Sequence, residues 1–134
     1  MKMKYMLDTN ICIYIIKKKP VKVLEKFKTL QEGMVGMSLI TLGELKYGIE
    51  KSQHPEKNMK VLDSITKIIP ALPMHKYVAD HYGEIRKKLE KKGQTIGNND
   101  LWISAHALAL DIILVTNNTK EFTRVPNLKL ENWI

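Results

Sequence analysis

Short apolar runs alternate with amphipathic stretches along the chain, a pattern typical of strands that alternate with helices. The apolar runs predict five strands, at residues 3–7, 34–39, 69–72, 112–116 and 128–133. The run at 112–116 is apolar almost throughout, which favours a central parallel strand, and the last run is predicted to be an edge strand.

The stretches between these runs predict helices. Their predicted extents are 10–16 with Asn10 as the cap, 21–28, 41–50, 55–68, 74–92 and 100–110, and a short helix near residue 121. The clearest is 74–92, where Val78, Tyr82, Ile85 and Leu89 recur at helical spacing on one face and Gly93 follows as the terminating residue.

Strands that alternate with helices predict an α/β fold with a central parallel sheet and helices on both faces. The 134 residues show no repeat, linker or low-complexity tract, so we expect a single domain over 1–134. The longest apolar stretch, 105–115, is interrupted by His106 and Asp111 and is too short for a membrane span. The N-terminal segment has no signal-peptide cleavage site, so no membrane or export targeting is expected.

The charge balance favours an anionic partner. Lys and Arg number 22 against 14 Asp and Glu, which makes the net charge +8 and the pI about 9.5. Nucleic acid is the first candidate for such a partner, although general lysine richness explains the same balance. One cysteine and four scattered histidines provide no zinc-site spacing and fit a reducing, cytoplasmic setting.

Four acidic residues stand where predicted strands end or helices begin: Asp8, Glu44, Asp100 and Glu121. Because the carboxyl ends of parallel strands meet at one edge of a sheet, these side chains are expected to gather there. Gathered carboxylates repel one another unless a cation neutralises them, and oxygen ligands suit Mg²⁺ or Mn²⁺. An acidic metal site in a basic protein is typical of a nuclease.

Each acid also has a purely structural explanation. Asp8, or its neighbours Thr9 and Asn10, can cap a helix; Thr41 with Glu44 has the spacing of a capping box. Asp100 suits a helix start, and Glu121 fits an ordinary surface position. The rival hypothesis is therefore a non-catalytic nucleic-acid or protein-binding module, which magnesium-dependent cleavage would distinguish from a nuclease.

Taken together, the segments at 6–10, 38–45, 93–103 and 114–122 resemble, in order, those of PIN-domain ribonucleases, specifically the VapC-type toxins of bacterial toxin–antitoxin pairs. The resemblance implies a PIN-like three-layer α/β/α domain and a metal-dependent endoribonuclease. It implies that Asp8, Glu44 and Asp100 bind Mg²⁺ or Mn²⁺. Glu121 and Asn118 are the candidates for a fourth position, with Glu121 preferred.

The same resemblance implies polar residues that orient the acids, and it implies partners. Thr9, Asn10, Thr116 and Asn118 are the candidates for orienting carboxylates or bound water. A VapB-type antitoxin is expected to cover the acidic groove with its C-terminal segment, and operator DNA is expected to bind only through that antitoxin. A homodimer is expected, with RNA as substrate and the anticodon loop of initiator tRNA as first choice, so that cleavage stops translation. A metal-dependent DNA nuclease remains an alternative.

Overall fold

A computed structural model describes residues 2–134 of the protein. Its elements, in chain order, are β1 Tyr5–Leu7, α1 Thr9–Lys17, α2 Val21–Lys28, β2 Val35–Ser38, α3 Leu39–Glu50, α4 Pro55–Ile68, β3 Ala71–Leu72, α5 Lys76–Lys91, α6 Asn98–Leu110, β4 Ile113–Val115, α7 Thr119–Phe122 and β5 Leu130–Glu131. No helix within these residues is long and apolar enough to cross a membrane.

The strands form one five-stranded sheet in the order β3-β2-β1-β4-β5. Every neighbouring pair is parallel, and Tyr5 of β1 pairs with both Val35 and Ile113. The predicted parallel sheet and the predicted edge position of β5 are therefore confirmed. The central position falls to β1 rather than to β4, which lies between β1 and β5.

Helices cover both faces of the sheet. Successive strand residues point to opposite faces, and all three residues of β1 are buried, so each face needs its own cover. Tyr5 and Leu7 pack into a core formed with α1 to α4. Met6 packs on the other face against α6, and a further apolar cluster joins α6 to α5. This arrangement is the predicted three-layer α/β/α architecture.

The predicted bounds of α2 and α4 agree with the structure, whereas the strands are shorter than predicted. The apolar run of β2 illustrates the reason. Ser38 ends the strand and its hydroxyl accepts a hydrogen bond from the Ile40 amide at 3.1 Å, so Leu39 already belongs to α3. Apolar periodicity does not reveal where a strand passes directly into a helix, because both elements are buried there.

The C-terminal end of α5 offers a test of the backbone argument. Gly93 has φ +65° and an added Cβ would meet nothing within 4 Å, so the cost of Gly93→Ala should be backbone strain alone, because an L side chain disfavours this left-handed conformation; it should lower the unfolding free energy by about 1 kcal/mol. Gly83, inside the same helix and equally unobstructed, is the matched control. Gly83→Ala should stabilise the protein by about 0.5–1 kcal/mol in urea unfolding. Equal effects of the two substitutions would contradict this account.

Candidate metal centre

The four predicted acids come from four elements that meet at the carboxyl end of the sheet. Asp8 follows β1 directly, and its amide donates to the carbonyl of Val115 in β4 at 2.9 Å. Glu44 lies in α3, whereas Asp100 and Glu121 lie in the first turns of α6 and α7. The parallel topology thus brings together positions that are far apart along the chain.

Asp8 is buried and is held at both of its carboxylate oxygens. Its Oδ1 accepts a hydrogen bond from the Thr9 amide at 2.8 Å, and its Oδ2 accepts one from the Thr116 hydroxyl at 2.8 Å. Burial raises the pKa of Asp8 above its ordinary value, although the hydrogen bonds from Thr116 and Thr9 oppose the shift. Repulsion from Glu44 adds to the rise in this pKa.

Asp8 is also the N-cap of α1, so the predicted helix-capping role of Asp8 is compatible with a role in metal binding. The prediction that Asn10 caps this helix is wrong, because α1 begins at Thr9 and Asn10 lies inside its first turn. The Asn10 side chain instead lies 3.5 Å from Oδ1 of Asn117, in the loop after β4.

Glu44 is held by side chains from two other helices. Its Oε1 accepts a hydrogen bond from the Thr9 hydroxyl at 2.6 Å, and its Oε2 accepts one from the Asn99 amide group at 3.4 Å. The capping-box explanation of Glu44 is wrong: Ser38 caps α3, so Glu44 lies in the second turn of the helix, beyond reach of the N-cap. Its carboxylate faces α1 and α6 rather than the start of its own helix.

Asp100 carries the clearest electrostatic sign of a shared acidic site. Burial and then the negative charges of Asp8, Glu44 and Glu121 raise the pKa of Asp100 to about 6. The other three predicted acids therefore all lie within electrostatic range of Asp100. Glu121 is one of these three, and the Asn118 backbone amide donates to the Thr116 hydroxyl at 3.0 Å.

The chemistry of this set fits a hard divalent cation. The ligands it offers are carboxylate oxygens, and burial together with repulsion between the acids raises the pKa of both Asp8 and Asp100, which a bound cation would oppose. Within residues 2–134, no three His, Cys, Asp or Glu side chains lie close enough together to coordinate one metal ion as they stand. Two of the acids are instead directed by hydroxyl and amide donors, which is how proteins commonly orient metal ligands.

Several polar residues around the acids were not predicted from the sequence. Asn99 contacts Glu44, and the Thr41 hydroxyl lies 3.3 Å from that of Thr9. The Asn117 side chain donates to the Tyr14 hydroxyl at 2.8 Å and so ties α1 to the loop after β4. Adjacency to Asp100 was the one signal that pointed to Asn99.

Comparison with known proteins places this geometry in a family. The family model of the PIN domain matches residues 5–128. The chain is 45% identical over 132 residues to Ribonuclease VapC2 of Haemophilus influenzae, covering 98% of this chain and 99% of the relative. It is 46% identical over 131 residues to the tRNA(fMet)-specific endonuclease VapC of Shigella flexneri, covering 98% of each.

Solved structures give the same result. VapBC2 of Rickettsia felis, bound to a DNA fragment from its promoter, superposes with a TM-score of 0.91 at 45% identity over 98% of this chain and 100% of the other. DNA-bound VapBC of Salmonella typhimurium superposes with a TM-score of 0.92 at 40% identity over 98% and 99%.

The raised pKa of Asp100 predicts a pH-dependent stability of the metal-free protein. A carboxyl whose pKa rises from 3.8 to about 6 on folding holds its proton more tightly in the native state, so its contribution to stability falls as pH rises through that window. Asp100→Asn should therefore stabilise the protein in EDTA at pH 7.5 and change little at pH 4. Thermal melts at both pH values, with the exposed Asp63→Asn as control, measure the difference. A destabilising effect of Asp100→Asn at pH 7.5 would contradict the repulsive cluster.

Proposed function

The chain belongs to the PIN-domain family, among its VapC ribonucleases, and from that premise we propose that it is the toxin of a toxin–antitoxin pair and a metal-dependent endoribonuclease. Asp8, Glu44, Asp100 and Glu121 are the proposed metal-binding acids, and Mg²⁺ is the proposed ion, with Mn²⁺ as a substitute. The observation that carries the proposal is the meeting of these acids at the carboxyl end of the sheet, where Thr9 contacts both Asp8 and Glu44 and where the charges of the other three acids act on Asp100.

Thr9 organises two of the acids at once. Its amide donates to Asp8 at 2.8 Å and its hydroxyl donates to Glu44 at 2.6 Å, so one residue fixes carboxylates from β1 and α3. Thr116 holds the second oxygen of Asp8 at 2.8 Å and is itself held by the Asn118 amide. These contacts leave the carboxylates oriented before an ion arrives, which lowers the cost of binding it.

Asp8, Glu44, Asp100 and Glu121 would hold a divalent cation, and its positive charge would serve to activate water and to offset the charge that develops on the phosphate group. The chain supplies the remaining requirements. Its acids hold the ion at the exposed carboxyl end of the sheet, and its net charge of +8 attracts the RNA backbone. The exposed Lys87 and Lys91 of α5, with Lys92 directly after the helix, add to this attraction. Cleavage by water leaves a 5′-phosphate and a 3′-hydroxyl.

The relatives' names favour RNA over DNA and favour initiator tRNA among RNAs, since one is a tRNA(fMet)-specific endonuclease. We assign the anticodon loop as the site of cleavage, because sequence-specific recognition of RNA usually requires unpaired bases. Loss of initiator tRNA stops translation, and the protein acts in the cytoplasm, where its substrate is.

The partner is a VapB-type antitoxin, as in the matched VapBC complexes. An apolar groove of about 390 Å³ lies beside the acids between α1, α3 and α4, with Thr9 and Glu44 at one end. Its apolar lining includes Ile13, Leu45 and Leu62, which suits an amphipathic segment. A basic side chain on that segment would reach Glu44 and compete with metal and RNA. Promoter DNA binds through the antitoxin, and the toxin forms a homodimer.

A graded mutant series tests the assigned residues. Asp8→Asn, Glu44→Gln and Asp100→Asn should abolish cleavage without loss of fold, because each keeps the shape and removes the charge. Asn caps helices as well as Asp does, so Asp8→Asn should keep α1 intact. Thr9→Val and Thr116→Val remove only an orienting hydroxyl and should lower the single-turnover rate constant by roughly 10–100-fold.

The measurement is single-turnover cleavage of tRNA in Mg²⁺, with circular dichroism to establish folding. Ser64→Ala, an exposed hydroxyl substitution in α4, is the control for a surface change. Full activity in a folded acid mutant would remove that acid from the site. Glu121→Gln and Asn118→Ala, measured together, decide the fourth position: loss of activity in the asparagine variant alone would overturn the choice of Glu121.

A short induction of the toxin without antitoxin tests the substrate. New RNA ends that carry a 5′-phosphate should map to the anticodon loop of initiator tRNA and should be missing when Asp8→Asn is induced instead. Cuts distributed evenly over messenger RNA, with tRNA intact, would contradict the tRNA assignment. They would leave the ribonuclease assignment unaffected.

A further inference from the structure

A buried hydrogen-bond network connects Ser38, His106 and the Pro73 carbonyl, which come from three different parts of the fold. Ser38 ends β2 and caps α3, and His106 lies in the middle of α6; both side chains are 0% exposed. Ser38 Oγ lies 2.8 Å from His106 Nδ1. The other ring nitrogen, Nε2, lies 3.1 Å from the carbonyl oxygen of Pro73, just after β3.

The partners determine the protonation of the ring. The Pro73 carbonyl can only accept, so Nε2 carries the proton and donates it. Nδ1 then accepts from the Ser38 hydroxyl, whose oxygen accepts in turn from the Ile40 amide at 3.1 Å. Burial lowers the pKa of His106, which keeps the ring neutral, although the hydrogen bond to Pro73 opposes this shift. Every side-chain polar atom of Ser38 and His106 therefore has a hydrogen-bond partner.

The hydrogen-bond network joins the two helices that carry Glu44 and Asp100. Ser38 begins the helix that carries Glu44, and His106 belongs to the helix that carries Asp100. Within residues 2–134, the other side-chain hydrogen bond that ties these helices together is the longer Asn99–Glu44 contact, 3.4 Å and exposed. An apolar side chain would fill the space at His106 without specifying a direction, whereas two hydrogen bonds fix both the spacing and the rotation of α6.

We propose that His106 is a positioning residue that acts through Ser38 to hold α3 and α6 at the spacing at which Glu44 and Asp100 share one cation. The inference rests on the proposed metal-dependent function. It assigns a role in metal affinity to a histidine that touches neither the acids nor the substrate.

The test compares His106→Leu, which removes both hydrogen bonds, with His106→Gln, which can still accept and donate. Manganese affinity is measured by calorimetry, and tRNA cleavage is measured at a temperature at which each variant is folded. His106→Leu should weaken manganese binding roughly tenfold or more and lower kcat, with KM for RNA unchanged. His106→Gln should recover the larger part of both.

Two controls separate positioning from general stability. Ser104→Ala removes a hydroxyl that is equally buried in α6 and has no hydrogen-bond partner, so it should behave like wild type. Val23→Ala truncates the core in α2, an element that carries none of the acids, and should lower stability without changing manganese affinity. In a double-mutant cycle, His106→Leu with Ser38→Ala should weaken binding no more than the worse single variant, because both interrupt one connection.

The outcomes distinguish the two levels of the proposal. If wild type binds no manganese, the proposed function fails, and this inference fails with it. If wild type binds and folded His106→Leu binds equally well, the inference alone is wrong. Loss of activity in proportion to the unfolded fraction, as in Val23→Ala, would likewise overturn it, as would additive effects of the two substitutions.

Discussion

Repulsion between carboxylates at the carboxyl end of a parallel sheet is the constraint that organises this molecule. The topology gathers Asp8, Glu44, Asp100 and Glu121 from four elements. Burial, and then the charges of the other three acids, raise the pKa of Asp100 to about 6. A protein tolerates such a cluster when a cation offsets it and when the acids are held by donors. Thr9 and Thr116 are these donors, which explains why a threonine lies close after β1 and another directly after β4.

The parts of this site that could be predicted follow from topology. Alternation of strands and helices implies a parallel sheet, and a parallel sheet brings strand ends to one edge, so the acids could be grouped without knowing any distance. The helices α2 and α4 could be delimited because Pro20 and Pro55 stand at their starts. Carboxylate ligands and the basic charge indicated Mg²⁺ or Mn²⁺ and a nucleic-acid partner, and the resemblance to a known family then specified RNA, which spacing alone does not.

The parts that could not be predicted depend on long-range polar contacts. Thr41 and Ser38 are both plausible caps of α3, and the choice falls to Ser38, which also meets His106, 68 positions away. Asn99 reaches Glu44 across 55 positions. A single sequence records that such side chains are polar but not which of them meet. The structural explanation of Glu44 therefore failed only once its contacts were known, whereas that of Asp8 survives beside its proposed role.

The central claim is that these acids form one cation site. Anomalous diffraction from crystals of the protein grown with Mn²⁺ tests it most directly, because the signal locates the ion without any assumption about activity. We expect a manganese peak bounded by the carboxylates of Asp8 and Asp100, with Glu44 and Glu121 turned toward it. A fully occupied manganese peak elsewhere, with these four carboxylates unchanged and without an ion between them, would contradict the account.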